Sequence, residues 1–155
     1  MYNKNTSYIR TLLLLSGMMA SQLCFSASSN DSVVYKQIQA IISSTYDKPD
    51  HKVETSPIAA INDYAVADWT QGDRGGRALL HRSNGKWTIL ACGADGLKEV
   101  NNLTAAGIPQ KTAENIVSQL TTAEKSVNPN RLKKFSLFGT KDDPIHSKHH
   151  HHSNP

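Results

Sequence analysis

Three groups of residues in this sequence have side chains suited to chemistry. Five of the seven histidines fall in the last ten residues, as His146, His149, His150, His151 and His152. Imidazoles clustered on a polar segment bind Cu(II), Ni(II) or Zn(II) without a preformed site, and Cu(II) stands highest in the divalent series. The second group is a single thiol, Cys92, since the other cysteine, Cys24, sits in an N-terminal leader described below. The third is a set of polar and charged residues beside glycines, Gln71, Asp73, Arg74, Arg77 and Asp95, suited to contact with a protein partner.

The leader places this chemistry in a compartment. Lys4 and Arg10 precede the apolar run Leu12-Leu13-Leu14-Leu15, and small residues Ser26-Ala27-Ser28 follow. That pattern predicts a secretory signal peptide over 1–27, cleaved near Ala27. The apolar run is well short of the ~20 residues that span a bilayer, so no membrane span is expected after cleavage. Leu23 before Cys24 does not suit acylation of that cysteine. Cleavage removes Cys24 and all three methionines, which excludes an internal disulfide and a thioether Cu(I) site in one mature chain. A lone thiol in an oxidising compartment is then a buried inert residue, a metal ligand or a redox partner.

Charge narrows the function further. Of 17 basic residues two leave with the leader, so 15 face 13 acids. A net charge of this size, with no basic stripe interleaved with aromatics, excludes nucleic acid as a partner. There is no nucleophile elbow, no His-Glu-x-x-His and no Cys-X-X-Cys, so neither a hydrolase nor a dithiol oxidoreductase is expected.

The elements that must position these residues follow from periodicity. Val34, Ile38, Ile41, Ile42 and Tyr46 share one face of a helix predicted over 31–46, with Asn30 or Asp31 as its cap. Strands are expected over 53–60, 64–70, 77–82 and 87–92, with residues 71–76 as a loop. Asn84-Gly85 between two strand-like runs predicts a two-residue type I′ turn. Asp95 is expected to cap a helix over 97–106 that stops at Gly107. Ile108-Pro109 opens a longer helix with Ala113, Ile116, Val117, Leu120 and Ala123 on one side, and a short helix over 131–138 carries Leu132, Phe135 and Phe138. The fold class is α+β: an N-terminal helix, a four-stranded antiparallel meander, then two or three helices packed on one sheet face. The domain is expected over 28–139, followed by a disordered, histidine-rich tail over 140–155.

Counting outward from the Asn84-Gly85 turn sets His81 opposite Thr88 and Arg77 opposite Cys92. On that register His81 and Cys92 share a face but lie roughly 13 Å apart, too far to share a metal. Arg77 beside Cys92, with a helix start nearby, predicts a thiol of lowered pKa. The plainer alternative is a buried core cysteine, with Arg74 and Arg77 as ordinary ion-pair partners and Trp69 and Trp87 as core.

The stretch Ala67-Asp68-Trp69-Thr70-Gln71-Gly72-Asp73-Arg74-Gly75-Gly76-Arg77-Ala78-Leu79-Leu80 resembles that of the bacterial copper uptake system-associated proteins. The likeness continues through Gly85-Lys86-Trp87, Cys92-Gly93-Ala94-Asp95-Gly96-Leu97, Ala105-Ala106-Gly107-Ile108-Pro109 and Ala123-Glu124. It implies a periplasmic, non-enzymatic accessory protein of copper uptake or homeostasis, found with periplasmic copper chaperones and metal-uptake components. It supplies no ligand set. Copper, if bound, is expected on Cys92 or on the tail histidines, with Gln71, Asp73, Arg74, Arg77 and Asp95 facing a chaperone or another partner. A metal-independent protein-binding module is the alternative, and a single-thiol redox or Cu(I)-transfer protein using Cys92 a more distant one.

Overall fold

The computed structural model describes residues 29–147. The expected leader, the side chain of His146, and His149, His150, His151 and His152 lie outside what is described. The chain begins with helix α1 (Ser29–Tyr46) and continues through strands β1 (Glu54–Ile61), β2 (Tyr64–Gln71), β3 (Arg74–Ser83) and β4 (Lys86–Gly93). A 3₁₀ turn, Asp95–Lys98, leads to helices α2 (Val100–Ala105), α3 (Gln110–Glu124), α4 (Pro129–Phe135) and α5 (Pro144–Ser147). The strands form one antiparallel sheet in the order β1-β2-β3-β4, so the fold is α+β as the periodicity predicts. No helix among the described residues is long and apolar enough to cross a membrane.

Both faces of the sheet are covered, which explains why β2 is buried along six successive residues rather than alternating. On one face, Ile38 and Ile42 of α1 pack on Ile58, Ala65, Ala67, Trp69, Ala78, Leu80 and Trp87. Their four-residue spacing puts them one above the other on the helix. On the other face, Leu103 of α2 and Ala113, Ile116 and Leu120 of α3 pack on Ala59, Val66 and Leu79. Tyr46, expected on the buried side of α1, is 42% exposed at its end. Asn30 and Asp31 lie within the helix rather than capping it.

The meander turns at three short connections. Asn84 and Gly85 both have positive φ, 50° and 76°, as a type I′ turn requires. Gly72 and Asp73 make an equally tight turn, with Gly72 at φ 60°. Residues 71–76 are therefore not a loop. Gly75 and Gly76 belong to β3 and pair with Thr70 and Trp69.

These glycines are needed for close approach, not for a turn. A Cβ on Gly75 would lie 2.8 Å from the Cβ of Lys134, and one on Gly76 would lie 2.7 Å from that of Phe138. Helix α4 and the residues after it are thus pressed onto the β2–β3 end of the sheet. Phe135 stacks beside Arg77 on the α3 face, while Phe138 reaches the α1 core and meets Trp69 edge-on at 5.6 Å. The chain passes from one side of the sheet to the other within three residues.

The fold also continues past Gly139, where the domain was expected to end. Asp143 is buried at 3% exposure and anchors the segment before α5.

Candidate functional site

The hairpin register decides which side chains meet. From the turn, Ser83, Arg82, His81 and Leu80 pair with Lys86, Trp87, Thr88 and Ile89 as expected. The pairing then slips: Leu79 faces Ala91, Ala78 faces Cys92 and Arg77 faces Gly93. Leu90 is the extra residue of a β-bulge and is 51% exposed. One inserted residue reverses the parity of everything beyond it. Cys92 therefore turns to the α1 face and Arg77 to the α3 face, which corrects the expectation that they stand together. His81, stacked on Tyr64 at 4.7 Å, is also on the side away from Cys92.

Arg77 is 2% exposed and lies at the centre of an ionic network. Its Nη1 donates to Asp95 Oδ1 at 2.7 Å and to the Phe135 carbonyl at 3.2 Å, and its Nη2 to Glu124 Oε1 at 2.8 Å. Lys98 donates to the other Glu124 oxygen. Ser136 Oγ donates to Asp95 at 2.8 Å. Burial alone would raise the Glu124 carboxyl, but the bonds from Lys98 and Arg77 overcome this and hold it below the usual carboxylate range. Asp95 is thus a bridge between β3 and the segment after α4, not a cap: the 3₁₀ turn has no side-chain cap at all. With its Nη donors engaged by the 3₁₀ turn, α3 and α4, Arg77 fastens the fold and is not free for a partner.

Cys92 lies in a small cavity of ≈ 120 Å³ with Tyr46, Val53, Trp69, Gln71, Arg74 and Phe138. Its sulfur is 3.7 Å from the Tyr46 hydroxyl. Burial pushes the thiol pKa up, and the Tyr46 bond only partly opposes this. The expected low-pKa thiol is therefore not what this environment makes, because the cation and helix start invoked for it lie on the other face. Among the described residues no three of His, Cys, Asp and Glu group closely enough to hold a metal ion.

The remaining candidates converge on the Gly72-Asp73 turn. A cleft of ≈ 290 Å³ is lined by Lys48, His51, Gln71, Gly72, Asp73, Arg74, Pro144 and Ile145. Gln71 Nε2 donates to the carbonyls of Tyr46 and His51 at 2.8 and 2.9 Å, pinning the segment after α1. Lys134 Nζ donates to the Gly72 carbonyl at 2.8 Å and fixes the turn from α4. Arg74 grips Asp143 with Nε and Nη2 at 3.2 and 3.4 Å. Asp143 also accepts from the backbone N–H of Gly139 and Ile145. These bonds hold its carboxyl below the usual range against the opposing effect of burial.

Of the five residues expected at a partner surface, Gln71, Asp73 and Arg74 thus meet at one cleft, while Arg77 and Asp95 belong to the ionic network. Only Asp73, 94% exposed at the turn tip, is open to contact over its whole side chain. Sequence reasoning passed over His51, Asp143 and Glu124 as site residues. Glu124 had a signal, since it continues the buried stripe of Ala113, Ile116 and Leu120 and so had to meet a cation. His51 and Asp143 had none, because their positions depend on contacts across the fold.

Comparison of the chain with protein-family models, with curated proteins and with solved structures finds no match.

Proposed function

We propose that this chain is an exported, non-enzymatic accessory protein of copper uptake or homeostasis. Its folded domain recognises a periplasmic chaperone or uptake component, and its C-terminal histidines collect copper. The likeness of residues 67–80 to copper uptake system-associated proteins supports the copper assignment. The leader over 1–27 supports export. The observation that carries the division of labour is the anchored exit of the histidine-rich segment. Arg74 and Asp143 fix the chain at the cleft that Asp73 overlooks, and the histidine-bearing residues follow directly in the sequence.

The residues of the shared stretch support a folding role for that stretch rather than a ligand role. Asp68, Trp69, Gly75, Gly76 and Arg77 are all buried: Asp68 and Arg77 lie against each other, Gly75 against Lys134, and Trp69 and Gly76 against Phe138. Copper is accordingly assigned to His146, His149, His150, His151 and His152, with Cys92 a packed thiol.

The test is Cu(I) and Cu(II) titration of the protein beside a form ending at Ser147, which keeps Asp143 in place. Stoichiometric binding that is lost on truncation supports the reading. Equal binding by both forms moves the copper to the folded domain. No binding by either leaves a metal-independent binding module, to be sought by capture of partners from periplasmic extract.

A further inference from the structure

Between Glu124 and Asp142 the chain carries five basic residues, Lys125, Arg131, Lys133, Lys134 and Lys141, and no acid. Two of them are fixed by the fold. Arg131 lies over the Phe135 ring at 5.7 Å, and its Nη2 reaches the Glu54 carbonyl at 3.4 Å. Its Nε is sealed from water and has no hydrogen-bond partner. Lys134 is set by its bond to the Gly72 carbonyl and by the bare backbone at Gly75, where a Cβ would come within 2.8 Å of the Lys134 carbonyl oxygen.

Both side chains line a cleft of ≈ 360 Å³ together with Lys52, Glu54, Thr70 and Asn130. The sheet supplies part of its wall: Glu54 pairs with Thr70, and Thr70 with Gly75, on which Lys134 rests. Thr70 is 7% exposed, yet its hydroxyl has no hydrogen bond among the described residues. A buried hydroxyl left unpaired is costly, and a ligand oxygen in the cleft satisfies it.

Charge selects the ligand. Three cations line the cleft against one carboxylate. Of the acids paired with these cations, Asp47 and Asp73 lie outside the cleft lining, and Glu54 stands 3.9 Å from Arg131, too far for a directed bond. Guanidinium and ammonium groups are donors only, and a phosphate oxygen accepts from them in charge-assisted bonds.

We propose that this cleft is a binding site for a phosphate-type oxyanion, free or as the phosphoryl group of a small ligand. Arg131, Lys134 and Lys52 are its cations, and the Thr70 hydroxyl is its donor from the sheet. The site uses none of the residues assigned to copper and stands independently of that reading.

The experiment is amide NMR titration of the full chain with inorganic phosphate and, separately, with glycerol 3-phosphate. Sodium chloride holds the ionic strength constant, so that general screening does not mimic binding. The expected result is saturable shifts at Thr70, Gly72 and Asn130. The Kd should be at least fivefold weaker in Arg131→Gln and in Thr70→Val, and unchanged in Lys111→Gln, which alters an exposed cation on α3. Tighter binding of glycerol 3-phosphate assigns a phosphomonoester, and the reverse assigns free phosphate. No saturable shift with either probe overturns the site. Equal affinity in the unsubstituted protein and in Thr70→Val identifies an adventitious ion only and also overturns it. Thr70→Val keeps the branched shape of the strand residue, so it tests the site even if Arg131→Gln folds poorly, and far-UV circular dichroism checks both.

Discussion

Asp68 Oδ1 stands 3.2 Å from Arg77 Nε but out of line for a hydrogen bond, and both side chains are sealed from water. Arg77 spends its well-aligned donors on Asp95 and Glu124, so Asp68 receives charge but no directed bond. Burial, reinforced by the neighbouring Glu124 carboxylate and only partly opposed by Arg77, pushes the Asp68 carboxyl up to about 8. The two buried carboxyl groups among the three on this guanidinium thus divide the roles: Glu124 is ionised and Asp68 retains its proton near neutrality.

That division gives stability a definite pH dependence. The folded Asp68 carboxyl binds its proton more tightly than the unfolded one, whose reference value is 3.8. Between these values unfolding releases a proton, so stability falls as pH rises from about 4 to about 8, by up to about 1.4 kcal/mol per pH unit. Urea midpoints measured from pH 5 to 8 should decline, and Asp68→Asn should flatten the decline. A wild-type midpoint that rises over this range would show that Asp68 is ionised throughout.

Removing Arg77 is expected to be costly. Arg77→Ala leaves Glu124 and Asp68 buried with one cation fewer, and breaking such a pair from one side costs about 3–5 kcal/mol. Equilibrium urea unfolding at pH 7 reads the loss directly. A cost below about 1 kcal/mol, the level of an exposed ion pair, would show that the network is solvated.

The two strand glycines make a steric prediction. Gly76→Ala sets a methyl 2.7 Å from the Phe138 Cβ and 3.0 Å from the Gly93 carbonyl, and neither can yield as a flexible chain end would. Displacing the segment after α4 should cost about 1–3 kcal/mol, as overpacking generally does. Thermal unfolding followed by circular dichroism should show a clear drop in Tm, whereas Gly85→Ala, with nothing within 4 Å, is strained only by its φ of 76°.

Cys92 should be a slow nucleophile. Its raised pKa lowers the thiolate fraction at neutral pH, and the surrounding Tyr46, Trp69 and Phe138 restrict access. Alkylation by iodoacetamide at pH 7.5 should run well behind a free thiol and approach it only in denaturant. Cys92→Ser should leave Cu(II) capacity unchanged. Alkylation faster than free cysteine would restore the activated thiol.

Anchorage of the C-terminal segment is open to proteolysis. Asp143→Ala removes the partner of Arg74 and the acceptor for the Gly139 and Ile145 N–H groups. Cleavage within residues 140–147 should then accelerate severalfold, with mass spectrometry locating the cuts. Equal rates in the two proteins would mean that the anchor does not hold the exit.

Periodicity and turn chemistry carry most of the architecture. The spacing of Ile38 and Ile42, the Asn84-Gly85 turn and the stripe of Ala113, Ile116 and Leu120 each place an element where it is found. What local patterns do not show is the bulge at Leu90, because nothing in Trp87-Thr88-Ile89-Leu90-Ala91-Cys92 distinguishes an inserted residue from a paired one. That single residue moved Cys92 away from Arg77. Gly75-Gly76 reads as loop for a similar reason: the sequence shows missing side chains, but the close approach of Lys134 and Phe138 comes from residues about 60 positions away. The candidate site was legible only in part, through Gln71, Asp73 and Arg74. Its other wall, His51 and Asp143, is assembled by tertiary contacts.

The passage from Phe135 to Phe138 across the end of the sheet has a mechanical consequence. The four strands separate the α1 layer from the α2–α3 layer, which meet at the hydrogen bond from Gln119 to the Tyr35 hydroxyl, and one short stretch of chain packs on both sides of the sheet. Pulling it out would uncover Arg77 on one side and Trp69 on the other at the same moment. The segment works as a clip, so the two halves of the interior should open together or not at all, and a load applied to the C-terminal segment should be felt at α1.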